Sequence, residues 1–178
     1  SRAYGQTNPP FTTTISCLVN GADDAALSGT LVFNTTADTN SPVGTYAIEP
    51  GGLSATNYAL TFSNGTLSVT AFALTVSADS VSRPYGATNP PLTGTLTGVQ
   101  SGDNLTATFN TAADTSSPVG VYLITPTLQD PNSKLANYTV FTNNGTLTVE
   151  PAVLLVTADN ASRAYGQANP PFTATLSG

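Results

Sequence analysis

Apolar and polar side chains alternate with a period of two along much of this chain. Residues 72–78 read Phe-Ala-Leu-Thr-Val-Ser-Ala, and the same alternation runs through 92–96, 105–109, 120–124, 138–142 and 146–149. Such alternation gives a strand one face for a core and one for water. Turn-forming residues separate these runs at intervals of about 8–12 residues. Asn64-Gly65 and Asn144-Gly145 read as hairpin-turn dipeptides, joining 59–63 to 66–70 and 139–143 to 146–150. Ser41-Pro42-Val43-Gly44 and Ser117-Pro118-Val119-Gly120 set the start of the strand that follows each of them.

The pattern repeats. Ser1-Arg2-Ala3-Tyr4-Gly5-Gln6-Thr7-Asn8-Pro9-Pro10-Phe11 returns, with changes, from Ser82 to Leu92 and again from Ser162 to Phe172, at offsets of 81 and 80 residues. The block from Phe33 to Tyr46 matches that from Phe109 to Tyr122 at 11 of 14 positions. Asn64-Gly65-Thr66-Leu67 recurs at Asn144-Gly145-Thr146-Leu147. A period near 80 exceeds the roughly 20–50 residues of a solenoid repeat and suits a small β-sandwich of six or seven strands. The expected fold is all-β: tandem immunoglobulin-like β-sandwich repeats of about 80 residues. The phase of the repeat makes 1–70 a domain lacking its first strand, 71–150 a complete domain, and 151–178 the opening strands of a third, with Pro151 as linker. That phase predicts either a slice of a longer tandem array or a protomer whose ends are completed by neighbours.

Composition narrows the function. Thr accounts for 31 of 178 residues, beside 15 Gly and 13 Pro, which favours strands and turns over helices. Only four Lys and Arg stand against ten Asp and Glu, for a net charge of −6. Four dispersed cations cannot build a nucleic-acid patch or a polybasic membrane anchor. No apolar run approaches the ~20 residues of a membrane helix. With no His and one Cys, histidine catalysis, Cys-rich zinc sites and internal disulfides are excluded. Cys17 lies in an alternating stretch and reads as a small core residue. No nucleophile–base pair, carboxylate dyad or phosphate loop can be assembled, so the chain is read as non-enzymatic and without a cofactor.

These motifs resemble the MBG-type repeat domains of large bacterial extracellular, adhesin-like surface proteins. The resemblance rests on the stretch from Leu74 through Ser82-Arg83-Pro84-Tyr85-Gly86 to Pro90, and on Ser-Pro-Val-Gly-x-Tyr at 41–46 and 117–122. It rests also on Asn-Tyr at 57–58 and 137–138, and on Asn-Gly-Thr-Leu-x-Val at 64–69 and 144–149. It implies an immunoglobulin-like or related module strung in tandem outside the cell, and it supplies no catalytic residues. Asp130-Pro131-Asn132-Ser133-Lys134 enlarges a loop where the first repeat has Gly51-Gly52-Leu53-Ser54, so a function carried by that loop need not be shared.

The candidate residues read first as structural. Asp79 with Arg83, and Asp159 with Arg163, are spaced to form ion pairs bracing the corner into Tyr85 and Tyr165; a ligand-binding Arg is the sharper alternative. Arg2 and Tyr4 hold the same places in the first repeat. Tyr4, Tyr85 and Tyr165 precede Asn-Pro-Pro in a rigid Tyr-Gly turn and are expected to be buried. Asp38 and Asp114 are placed to cap the Ser-Pro turns, with calcium as the alternative; Asp23-Asp24 occurs only once. Six Asn-x-Ser/Thr sequons, at Asn34, Asn64, Asn104, Asn137, Asn144 and Asn160, are what an Asn- and Thr-rich chain contains by chance. The leading expectation is a structural repeat of a stalk or filament at the cell surface. Its partner is itself, by head-to-tail strand completion or as one continuous array. The alternative is an adhesive module recognising glycans or a host surface through Tyr and loop Asn or Asp.

Overall fold

The computed structural model describes residues 1–16, 18–19 and 26–178. Cys17, Asp23 and Asp24 lie outside the described residues, and so do the expectations placed on them. Among the described residues the regular structure is strand, broken by isolated helical turns such as the 3-10 turn at Leu135–Asn137.

The first repeat contributes β1 (Arg2–Ala3), β2 (Ser28–Asn34), β3 (Gly44–Ser54) and β4 (Gly65–Thr70), in the sheet order β1-β4-β3-β2. The second contributes β5 (Phe72–Ala78), β6 (Val81–Pro84), β7 (Gly94–Thr97), β8 (Thr106–Thr111), β9 (Gly120–Gln129), β10 (Tyr138–Asn143) and β11 (Gly145–Glu150). Four of these repeat the first arrangement as β6-β11-β9-β8, and the other three form a second sheet in the order β10-β5-β7. The third repeat contributes β12 (Leu155–Ala158) and β13 (Ala174–Ser177), an antiparallel pair. The fold is all-β, in tandem sandwich-like repeats.

The four-stranded sheets are mixed. β3 and β4 pair antiparallel, whereas β1 runs parallel to β4; β9 and β6 flank β11 in the same way. Alternation gives each strand its buried face: Leu67 and Val69 in β4, Leu74 and Val76 in β5, and Leu147 and Val149 in β11 are all buried. The Ser-Pro-Val-Gly segments lead into β3 and β9, and the Tyr46 and Tyr122 hydroxyls each donate 2.8 Å back to the carbonyls of Pro42 and Pro118.

The Asn-Gly dipeptides are not hairpin turns. Asn144-Gly145 carries the chain from β10 in one sheet to β11 in another. A type I′ turn needs positive φ at both central residues, and neither Asn64-Gly65 nor Asn144-Gly145 has it. Gly145 serves close approach instead: a Cβ there would stand 2.3 Å from the Asp79 carbonyl oxygen.

The chain divides into two compact units that do not follow the repeats: Ser1–Val76 with Leu96–Ala107 and Leu128–Thr142, and Ser77–Thr95 with Thr108–Thr127 and Asn143–Gly178. The core of the first unit gathers Tyr4, Val69, Leu74, Leu105 and Tyr138. That of the second centres on Ala113, Ile124 and Leu147, with Phe109 and Tyr122 against them.

Candidate functional site: a junction between repeats

Arg2 and Arg83 are buried at 7% and 4% exposure, although neither faces a carboxylate. Each is held by its own repeat. Arg83 Nε donates 2.6 Å to Asn89 Oδ1, Nη1 donates to the Pro84 carbonyl, and Nη2 to the Asp114 carbonyl. Asn89 Nδ2 then donates 2.6 Å to the Ala113 carbonyl. Arg2, Asn8, Ala37 and Asp38 reproduce the same set of bonds. The Arg and the Asn of Ser-Arg-x-Tyr-Gly-x-x-Asn-Pro thus clamp the Tyr-Gly turn onto the Ala-Asp turn some 30 residues away. Burying a guanidinium is tolerable only with its donors satisfied, which is why this motif keeps its spacing.

The expected ion pairs do not form. Arg83 turns to the carbonyls described above, and Asp79 Oδ2 accepts 2.7 Å from the Thr93 hydroxyl. Asp159 accepts from Thr173 and Thr175, which lower its carboxyl below the usual value, while Arg163 reaches the Gln167 carbonyl at 2.8 Å. At Arg83 the carbonyls converge on a buried guanidinium, and each Asp has hydroxyl partners of its own, Thr93 for Asp79 and Thr173 with Thr175 for Asp159. Asp38 and Asp114 cap their turns. The Asp114 carboxylate accepts from the Ser116 amide and from the Ser116 and Ser117 hydroxyls, and Ser116 is the main cause of its lowered pKa. Asp38 does the same with Asn40 and Ser41. Among the described residues, no three His, Cys, Asp or Glu side chains gather as a metal site would require.

The tyrosines of the three repeats differ. Tyr4 is 2% exposed, Tyr85 49% and Tyr165 fully exposed. The expectation that all three are buried is therefore corrected: the Tyr-Gly turn does not bury its own ring. Tyr4 is covered by side chains of the following repeat. Its hydroxyl donates 3.0 Å to Asp103 Oδ1, and its ring meets Tyr138 edge-to-face at 5.6 Å and 76°. Tyr138 donates to Asp103 Oδ2 and accepts 2.9 Å from the Gln100 amide. Asp103 is 4% exposed, and this one carboxylate bridges two phenols. Burial first, then the bond to Asp103, pushes the hydroxyls of Tyr4 and Tyr138 up to about 12. Two further contacts complete the junction. The Val43 amide donates 3.0 Å to Asn137 Oδ1. Gly5, at φ +79°, lies so close to Gln100 that a Cβ would stand 2.2 Å from its Oε1.

Unengaged halves of the same junction exist elsewhere. Gly86, the counterpart of Gly5, has nothing within 4 Å of its Cβ position. Tyr58, the counterpart of Tyr138, accepts 3.3 Å from the Val19 amide as Tyr138 does from Gln100. Asp103, Gln100, Asn8 and Asn89 escaped the sequence reading. A signal for the two asparagines was present, because Asn recurs at a fixed six residues after each Arg.

No curated protein sequence matches the chain. The family model for the MBG domain of the YGX type matches three successive segments, 1–68, 74–148 and 154–178. Tyr4-Gly5, Tyr85-Gly86 and Tyr165-Gly166 stand at the clamped turn of each segment. The chain is a tandem array of MBG domains of the YGX type.

Proposed function

We propose that the chain is a non-enzymatic structural repeat of an extracellular bacterial surface protein, forming a stalk or filament by head-to-tail assembly of β domains. The observation that carries this reading is the junction at Tyr4, Asp103 and Tyr138. Its donor half comes from the Tyr-Gly turn of one repeat and its acceptor half from loops of the next. The second repeat carries both halves on different segments, the Tyr85-Gly86 turn and the Asp103 and Tyr138 pair, so the contact can recur along an array without closing on itself. The partner is another repeat of the same kind. The Thr-rich, weakly charged composition suits an extracellular setting. Two of the four cations are buried structural arginines, which argues further against nucleic acid.

X-ray scattering from covalent arrays of two, four and six repeats tests the reading. A radius of gyration rising in proportion to repeat number is expected. Growth as roughly the 0.4 power, as for a compact globule, would overturn the stalk.

One observation favours the adhesive alternative. Val121 and Leu123 expose 68% and 61% of their surface along β9, where the first repeat has Thr45 and Ala47. A surface that differs between repeats while the junction motif stays constant suits recognition of a partner. Replacing Val121 by Thr and Leu123 by Ala should abolish cell-surface binding on that reading and leave it unchanged on the structural one.

A further inference from the structure

The acceptor half of the junction stands on a loop that the first repeat does not have. Between Pro126 and Asn137 the second repeat has ten residues, where the first has six between Pro50 and Asn57. The shorter stretch contains no carboxylate; the longer one contains Asp130. Both oxygens of Asp130 turn inward on the loop. Oδ1 accepts 2.8 Å from the Lys134 amide and Oδ2 accepts 2.8 Å from the Leu135 amide. Between them Ser133 sits at φ +53°, a left-handed conformation that a non-glycine residue keeps only where its surroundings over-determine it. The two bonds to Asp130 supply that constraint.

What the loop delivers is the junction. The amides that Asp130 holds open the 3-10 turn Leu135–Asn137, and the Asn137 amide closes it by donating 2.9 Å to the Lys134 carbonyl. The turn hands the chain to β10 and so sets Asn137 and Tyr138 side by side. Asn137 is buried and accepts from the Val43 amide of the preceding repeat. Tyr138 donates to Asp103 and meets the Tyr4 ring. Asn132, on the same loop, donates to the Asp103 carbonyl at 3.5 Å, and Leu135 packs against the core that holds Tyr4 and Tyr138. Asp103, Asn137 and Tyr138 each connect to this one loop.

We propose that Asp130 is a positioning residue for the junction and that its loop makes the second repeat a selective acceptor for the Tyr-Gly and Ser-Pro-Val turns of the repeat before it. Acceptor groups held in place beforehand lower the ordering cost of the contact. Joints in an array are then stiff where the acceptor repeat carries the long loop and looser where it carries the short one. A four-residue insertion thereby sets the strength of each joint. This rests on the head-to-tail reading and adds to it what grades one joint against the next. Scattering from covalent arrays tests that reading, whereas exchange of a single amide in the 178-residue chain tests the role of Asp130, so the two can fail separately.

The test uses the full 178-residue chain, the variants D130A and D130N, and a chain in which residues 127–136 are replaced by the Gly-Gly-Leu-Ser-Ala-Thr of 51–56. Amide hydrogen exchange is read residue by residue by NMR. The Val43 amide belongs to the preceding repeat and meets the loop's turn through Asn137. In D130A and in the exchanged loop it should exchange at least tenfold faster, while the Leu147 and Val149 amides of β11 keep their rates. D130N retains one acceptor oxygen and should fall between D130A and the parent chain. The D130A arm stands even if the exchanged loop fails to fold. A Val43 rate unchanged in D130A, a rate that rises in step with Leu147 and Val149, or a D130N chain as fast as D130A would each overturn the proposal. Covalent arrays of six long-loop repeats should also give a smaller radius of gyration when Ala replaces Asp130 in every repeat, and an unchanged radius would overturn the grading of stiffness.

Discussion

At the scale of single residues, three tyrosines in one motif have three environments, and what covers the ring decides the energetics. Tyr4 is enclosed by Asp103 and Tyr138, so Tyr4→Ala removes a buried aromatic and leaves a carboxylate short of a donor. A loss of about 3–5 kcal/mol in chemical denaturation is expected. Tyr85 is half exposed, and Tyr85→Ala should cost under about 1 kcal/mol in the same measurement. Equal losses at the two sites would mean that the turn, not the junction, holds the ring. The phenols also predict an alkaline limit. Their pKa rises from 10.0 unfolded to about 12 folded, so folding favours the protonated form. The junction's contribution is complete below pH 10 and is lost as pH climbs through 12, when tyrosinate would face Asp103. Denaturation midpoints should hold steady to about pH 9.5 and then fall. The double variant Tyr4→Phe/Tyr138→Phe should flatten that fall, and absorbance titration should show that the variant has lost a late-ionising component present in the parent chain.

At the scale of elements, the Asn-Gly dipeptides show where local reading stops. Asn144 has negative φ and an exposed side chain, so Asn144→Ala should cost under about 0.5 kcal/mol. A type I′ turn would make that change costlier. Gly145→Ala drives a Cβ to 2.3 Å from the Asp79 carbonyl oxygen and should cost about 1–3 kcal/mol by denaturation. Most strands were legible in their period-two alternation, and the reading at 72–78 coincides with β5, but 59–63, read as one arm of a hairpin, is not strand. What the alternation did not carry was pairing. It did not show that β6 runs parallel to β11, nor that β10 and β11 belong to different sheets. Burial alternates in the same way whichever neighbour a strand takes. The ion pairs failed for a related reason. Spacing of four residues brought Asp79 and Arg83 to mind as partners, but the guanidinium is claimed by carbonyls roughly 30 residues on, at Asp114 and by analogy Asp38. Asp103 was missed altogether, because a lone Asp in a loop gives no local sign that two phenols from different repeats will converge on it.

At the scale of the whole molecule, the strands differ in how much of themselves they bury, and local stability should follow burial. β12 and β13 form a two-stranded ribbon in which every residue is exposed. Such a ribbon is marginal in water without a third strand or a packed face. β4 and β11 are central strands of four-stranded sheets, with Leu67, Val69, Leu147 and Val149 buried. Opening them requires breaking two ladders and exposing core. Hydrogen exchange read by mass spectrometry at low micromolar concentration should therefore separate the chain sharply. Peptides within 151–178 should exchange within seconds, while those covering 65–70 and 145–150 stay protected at least a thousandfold longer, as units of high and low local stability do. Protection of 151–178 equal to that of 145–150 at this dilution would mean that residues 151–178 have a core of their own and that burial does not set local stability here.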